Sequence, residues 1–277
     1  MTDGGAGSGW GIDEWFVVTL ARTIADAEVV FHGFASPCAQ VAMHVARRTH
    51  APRSLLIEGA TYAVNPTPVF VPPTSNDLAL HADAVYRMRF EEFFDAACRG
   101  AVDRMFLSGG QIDRYGNTNV TAIGGMPRPR IKLGGGGGGA NISATVGALT
   151  LWTTRHASGR TLVPRLDFLT DLGHRTPAGT RAELGYTGGG PQWLVTELGV
   201  FDFTAAGQAR LVALFPDVDI ADVRRATGFD LDVAGDLGVV PEPTPAELTA
   251  VRAVDPLAVR RLEFGAADLA RRFGRDP

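Results

Sequence analysis

The apolar positions of this chain alternate between helical and strand periods. Phe16, Val17, Leu20, Ala21 and Ile24 recur at helical spacing behind Asp13, a good N-cap residue, so a first helix is expected from there. Residues 28–33 read as a short strand. Ser36 and Pro37 then suit the start of a helix that runs to about Arg48, with Val41, Ala42 and Val45 on its apolar face. A second apolar strand covers residues 54–59. Strand–helix–strand units whose strands are continuously apolar predict a parallel sheet covered by helices on both faces.

Residues 60–76 carry Pro66, Pro68, Pro72 and Pro73 and read as a long loop. A helix with Phe90, Phe93, Phe94 and Ala97 is expected over 89–99, and a strand over 104–108 that ends at Gly109 and Gly110. The polar stretch 111–119 is turn-forming. Further strands are expected at 149–153, 161–163 and 211–215, with a hairpin from 193–196 and 200–203 through Leu198-Gly199. Residues 173–191 read as loop. Thr244 and Glu247 form a capping box for a helix to about Val254, and 257–273 reads as a basic, amphipathic final helix. The glycine-rich start, residues 1–11, reads as a disordered tail before one domain over 12–277.

The most unusual stretch is the run of six glycines at 134–139, followed by Ala140-Asn141. Ordering glycine costs more backbone entropy than ordering any other residue. The run follows an apolar-basic segment and leads into a short helix-compatible stretch at 141–148 and then a strand, which is not the setting of a linker. A loop without side chains brings backbone N–H groups close to a ligand, as oxyanion and phosphate cradles require.

Composition narrows the class. The chain has 277 residues, 45% hydrophobic and 20% charged, enough for a sizeable core, and its 34 glycines suit a loop-rich α/β protein. A net charge of −4 offers no nucleic-acid footprint. Two cysteines, Cys38 and Cys98, without a CxxC, argue against a disulfide framework or structural zinc and fit a cytoplasmic location. No apolar run reaches the roughly 20 residues of a membrane span, and the start does not read as a signal peptide.

Several motifs fail their tests. The glycine run matches GxGxxG trivially, but no acidic residue stands about 20 positions on, and no GK[ST] follows it. No GxSxG elbow or HExxH occurs. The six histidines stand at no metal-ligand spacing and read as core or surface side chains. Cys98 reads as structural; Cys38, in the first turn of a helix, reads as unreactive despite the dipole there. Arg128, Arg130 and Lys132 read as a solvated basic face. Glu58 ends the apolar run Leu55-Leu56-Ile57, where open parallel sheets bind ligands. There it is a nucleophile, a base, or the first exposed residue of a loop.

Taken in order, 109–119 (Gly-Gly-Gln-Ile-Asp-Arg-Tyr-Gly-Asn-Thr-Asn), Gly-Gly-Ala-Asn at 138–141, Gly190-Pro191-Gln192, Val195-Thr196, Gly199 and Thr227-Gly-Phe-Asp-Leu-Asp-Val233 resemble the β-type subunit of class I coenzyme A transferases. The likeness is to the glutaconate CoA-transferase branch and covers roughly residues 13 to 260. It implies an α/β fold with an open, mostly parallel sheet flanked by helices, and an α-type partner chain with the active site at the interface. It also implies an acyl-CoA thioester as substrate, with no permanently bound cofactor or metal. In that family a glutamate of the β-type chain attacks the thioester and forms an acyl anhydride and then a glutamyl-CoA, splitting one exchange into easier steps. The resemblance puts oxyanion binding on Gly136 and Gly138; it brings the nucleophile onto Glu58 only with paired gaps, and substrate contacts are expected of Gln111, Asn117, Asn119, Ala140 and Asn141. The chain departs from the family at the nucleophile. A Glu-Ser-Gly or Glu-Asn-Gly signature is replaced by Ile57-Glu58-Gly59-Ala60. Ungapped counting from Ala51-Pro52 reaches Gly59, and from Asp77-Leu78 it reaches Ala60. Relatives without the glutamate are decarboxylases or ring-opening hydrolases on acyl-CoA, and a non-catalytic subunit that completes its partner's site is a third reading.

Overall fold

The computed structural model describes residues 9–274. Ten strands form one sheet: β1 (Val29–His32), β2 (Leu55–Ile57), β3 (Ala63–Val64), β4 (Tyr86–Arg87), β5 (Arg104–Ser108), β6 (Ala148–Thr153), β7 (Pro191–Thr196), β8 (Gly199–Phe203), β9 (Ala209–Leu214) and β10 (Asp232–Val239). Their spatial order is β10-β9-β8-β7-β6-β5-β1-β2-β3-β4. The five central strands, β7-β6-β5-β1-β2, are parallel, and only β3 and β8 oppose the common direction. The mostly parallel sheet expected from the apolar strands is therefore present.

The strand period of two sorts side chains onto two faces. Val30, Leu56, Phe106, Trp152 and Val195 pack on one side against helices α1 (Ile12–Ala21), α2 (Pro37–Arg48) and α6 (Pro245–Val254). Phe31, Ile57, Met105, Leu151 and Leu194 pack on the other, with α3 (Phe90–Cys98), α4 (Gly139–Ser143) and α5 (Ile220–Ala226). Burying a side chain such as Phe16 or Phe93 completely contributes about 1.5–3 kcal/mol each. Arg104 fixes the amino end of β5: it is buried and donates twice to Glu28, at 2.8 Å each, and to Gln192 at 2.9 Å.

Several expectations are corrected. Helix α1 starts at Ile12 with Gly11 as N-cap, whose N–H donates to Glu14 at 2.9 Å; Asp13 is instead a buried ion partner of Arg260 and Arg261. Residues 1–8 of the expected tail lie outside the described residues. Trp10–Gly11, however, are buried and pair with Arg272–Phe273. The final helix breaks into a 3-10 turn (Val259–Glu263), helix α7 (Ala266–Leu269) and that closing strand. The break follows from aromatic packing: Phe264 meets Phe16 edge-on at 5.4 Å and Phe273 meets Trp15 at 5.0 Å, directions one straight helix cannot serve together. The loop at 60–76 holds strand β3, because Asn65 pairs with Leu56 through both backbone and side chain. Residues 161–163 make only an isolated bridge, from Leu162 to Ile112. Within 173–191, Arg175–Thr176 pair with Gly179–Thr180. The short helix expected over 141–148 is α4, two residues earlier. Cys98 is exposed rather than structural.

Candidate active site

At the carboxyl ends of β1, β2 and β5 lies a cleft of about 600 Å³. Its roof is the glycine run, Gly134 to Gly139. Tyr62, Phe90 and Phe94 form an aromatic wall, with the Phe90 and Phe94 rings 4.5 Å apart, and Ser36, Ser108 and Asp171 supply polar groups. The loop is ordered from both sides. The N–H of Gly135 donates to Val120 O at 2.7 Å, and that of Gly139 to Gly136 O at 2.7 Å. Among the described residues, the N–H groups of Gly136, Gly137 and Gly138 have no acceptor. A side chain at 138 would run into the Phe94 ring, and one at 136 would stand 2.7 Å from the Thr170 methyl. At 136 and 138 the absent side chains are thus a steric requirement, and what lines the cleft there is backbone with spare donors. Such preorganised donors are what an oxyanion needs.

Glu58 is not the exposed loop residue that position alone suggested: it is 1% exposed. One residue beyond Ile57, it falls on the Leu56 side of the sheet and turns to α2. Its Oε2 accepts from Gln40 Nε2 at 2.7 Å and from His32 Nε2 at 2.9 Å, and its Oε1 from His44 Nε2 at 2.9 Å. Burial is the largest single influence and pushes its carboxyl up, but the hydrogen bonds and charges of His32 and His44 outweigh it and hold the group well below the usual carboxylate range. His32 Nε2 also lies 3.0 Å from the Gly59 N–H, so the proton between Glu58 and His32 decides whether that N–H has an acceptor. Gly59 lines the cleft, yet a Cβ there would collide with the carbonyl oxygens of His32 and Gly33. No carboxylate from this strand end faces the cleft.

The remaining expected site residues divide. Gly136 and Gly138 line the cleft; Ala140 and the exposed Asn141 follow on α4, outside the lining. Gln111, Asn117 and Asn119 lie elsewhere. Gln111 bonds Asp167 and Asn119, Asn119 caps the turn to Ala122, and Asn117 ties Asp113 to Gly173 and Arg175. Their hydrogen bonds hold the hairpin of Gln111–Ile112 and Thr118–Asn119 that supports the roof. Arg128 and Arg130 are exposed outside the cleft, in keeping with a solvated face.

Sequence reading missed Asp171, which sits in the stretch before the Gly- and Thr-rich loop, and it missed the buried partners of Glu58. Gln40 and His44, four apart on one helix, were the available signal for the latter. His156 is buried between Thr196 (3.1 Å) and Thr227 (3.0 Å), and burial drops its pKa to about 3, so a neutral imidazole bridges two of the motif threonines. The Cys38 thiol is buried, pushed well above its ordinary range first by burial and then by Glu263, and donates to Arg260 O.

A three-layer α/β chain with a glycine-roofed cleft at the strand ends defines the class. Residues 15–226 match the family model for coenzyme A transferase. The β-type chain of glutaconate CoA-transferase from Acidaminococcus fermentans is 32% identical over 88% of this chain and 92% of its own length. The crystal structure of that enzyme superposes with a TM-score of 0.81 over 94% of this chain and 99% of the other. The IpdB chain of the cholesterol ring-cleaving hydrolase of Mycobacterium tuberculosis is 30% identical over 89% of this chain and 96% of its own length. The decarboxylase AibA/AibB matches with a TM-score of 0.79 and 33% identity over 92% of this chain and 99% of that one. This chain belongs to the coenzyme A transferase family, and it aligns over nearly its whole length with β-type chains in it.

Proposed function

We propose that this chain is the β-type subunit of a heteromeric, cytoplasmic enzyme acting on an acyl-CoA thioester beneath the glycine run. We further propose that it works through acid–base chemistry on a thioester enolate, as a decarboxylase or ring-opening hydrolase does, with no glutamyl-CoA formed on this chain. The setting of Glu58 carries this reading. A nucleophilic carboxylate must reach the thioester carbon, and this one is turned to the helix layer, outside the cleft lining, and held by three donors. The spare N–H groups of Gly136 and Gly138 suit the oxyanion that decarboxylation and carbon–carbon hydrolysis both build up. An α-type partner is supported by exposed apolar side chains about the cleft mouth and the nearby sheet edge: Phe34 is 63% and Phe90 59% exposed, with Val85 and Tyr86 also open.

The test is covalent trapping. The assembled heteromer is incubated with acyl-CoA, quenched with borohydride or hydroxylamine, and the peptide spanning residues 54–60 is analysed by mass spectrometry. The peptide is expected to stay unmodified during turnover. A mass change on Glu58 would overturn the acid–base reading and make the enzyme an acid-to-acid CoA transferase.

A further inference from the structure

Asp171 is the carboxylate that this chain does place on the cleft. It is 2% exposed. Backbone pairing with Thr118 locks its position, and the Thr118 hydroxyl donates to Oδ2 at 2.6 Å. Oδ1 has no hydrogen-bond partner among the described residues. It faces the side-chain-free side of Gly139, where a Cβ would stand 3.0 Å away. A buried polar atom without a partner costs about 1–3 kcal/mol, and among the atoms left so in this structure Asp171 Oδ1 belongs to a residue lining the cleft.

We propose that Asp171 exchanges a proton with carbon of the bound acyl-CoA, which makes it a catalytic residue of this chain. The inference rests on the acid–base reading above. In the forward direction the enolate's electron pair forms a C–H bond with the Asp171 proton as the O–H bond breaks. The thioester carbonyl re-forms, and water returns a proton to the carboxylate. Burial, opposed by the Thr118 hydrogen bond, raises the carboxyl above its ordinary range, which suits a group that must hold a proton before giving it up.

The experiment uses the full heteromer in D2O with crotonyl-CoA, whose γ-hydrogens are acidified by conjugation with the thioester. Deuterium uptake is followed by mass spectrometry, and crotonyl-CoA affinity is measured in parallel. Asp171→Asn preserves shape and an acceptor for Thr118. It is expected to slow exchange at least about 100-fold while affinity stays within about threefold, the signature of a lost proton-transfer group rather than a lost binding contact. If the Asn variant fails to assemble, Asp171→Ser is read in its place. Wild-type exchange rates in a folded, assembled variant would overturn the assignment, as would a wild-type complex that binds crotonyl-CoA without exchanging it. Trapped glutamyl adduct on the 54–60 peptide would instead overturn the acid–base reading, and the exchange rates would still decide Asp171.

Discussion

Replacing Glu58 separates a scaffold from a nucleophile, because the two roles predict opposite changes in stability and rate. Three donors converge on its carboxylate, two on Oε2 and one on Oε1. In Glu58→Gln the amide oxygen satisfies one side and the NH2 confronts a donor on the other. One or two hydrogen bonds to a charged acceptor are lost, at about 1.5–3 kcal/mol each, so a net cost of about 2–3 kcal/mol is expected after local rearrangement. Glu58→Ala strands all three donors and costs about 3–5 kcal/mol, as for breaking a buried ion pair. At about 2–4 °C per kcal/mol for a large domain, calorimetry of the heteromer would show Tm lowered by about 4–12 °C for Gln and more for Ala. The pH dependence follows from the depressed carboxyl. Its stabilisation is complete above the unfolded value near about 4.3 and is lost as pH falls toward the folded value. The gap between wild type and Glu58→Gln is therefore full at neutral pH and shrinks below about pH 4. Turnover per folded complex is expected to fall less than about tenfold, since no proton or covalent step is removed. A Gln variant with wild-type Tm and turnover reduced by about 1,000-fold or more would refute the scaffold reasoning.

Two further perturbations test the cleft and its flank. Gly138→Val drives a branched side chain into the Phe94 ring beneath the proposed oxyanion donors, so turnover is expected to fall at least about tenfold in an assembled complex; unchanged steady-state kinetics would remove the glycine run from the site. Glu263, whose pKa is pushed up to about 7 by burial against the opposing hydrogen bonds from Cys38, favours folding in its protonated form, a contribution present below its unfolded value and lost as pH rises through about 7. Glu263→Gln is expected to flatten the decline in Tm between pH 5 and pH 8, and an unaltered slope would show that burial is not what governs this carboxyl.

What the sequence made legible follows from how locally each feature is determined. The central strands announced themselves because both faces are covered, so their residues are apolar without alternation. The β7–β8 hairpin and the Thr244–Glu247 capping box likewise depend on near neighbours. Strand β10 did not register: as an edge strand interrupted by Asp232, Gly235, Asp236 and Gly238, it carries no clean period even though Val233 and Leu237 pack on the core. Helix α5 was missed although Asp219 caps its start locally, and the final segment was misread because long-range contacts set it. The helical pattern of 257–273 was genuine, but Phe264 and Phe273 are claimed by Phe16 and Trp15 across some 250 residues of chain. The site divides in the same way. The glycine run was visible because its composition is extreme. Asp171 was not, because its meaning comes from Thr118, 53 positions earlier, and from a gap left by Gly139.

The strand end at residues 57–59 also suggests how one family supports three chemistries. Successive residues of a strand face opposite sides, so a single position decides whether a carboxylate meets the ligand or the helix layer. Here Ile57 faces the α3 side, Glu58 faces α2, and Gly59 touches the cleft with no room for a side chain. With the Glu58 carboxylate turned away from the cleft, the chain still presents the glycine run, the aromatic wall and a cleft of about 600 Å³. On the proposed reading the glycine N–H groups still serve the oxyanion, and the reaction type passes to whichever acid or base remains within reach of the acyl carbon. In this chain Asp171 is that group. Because Glu58 stays bonded to His32, and His32 Nε2 touches the Gly59 N–H, the displaced carboxylate still shapes the cleft from behind, as part of the wall that keeps the strand end rigid.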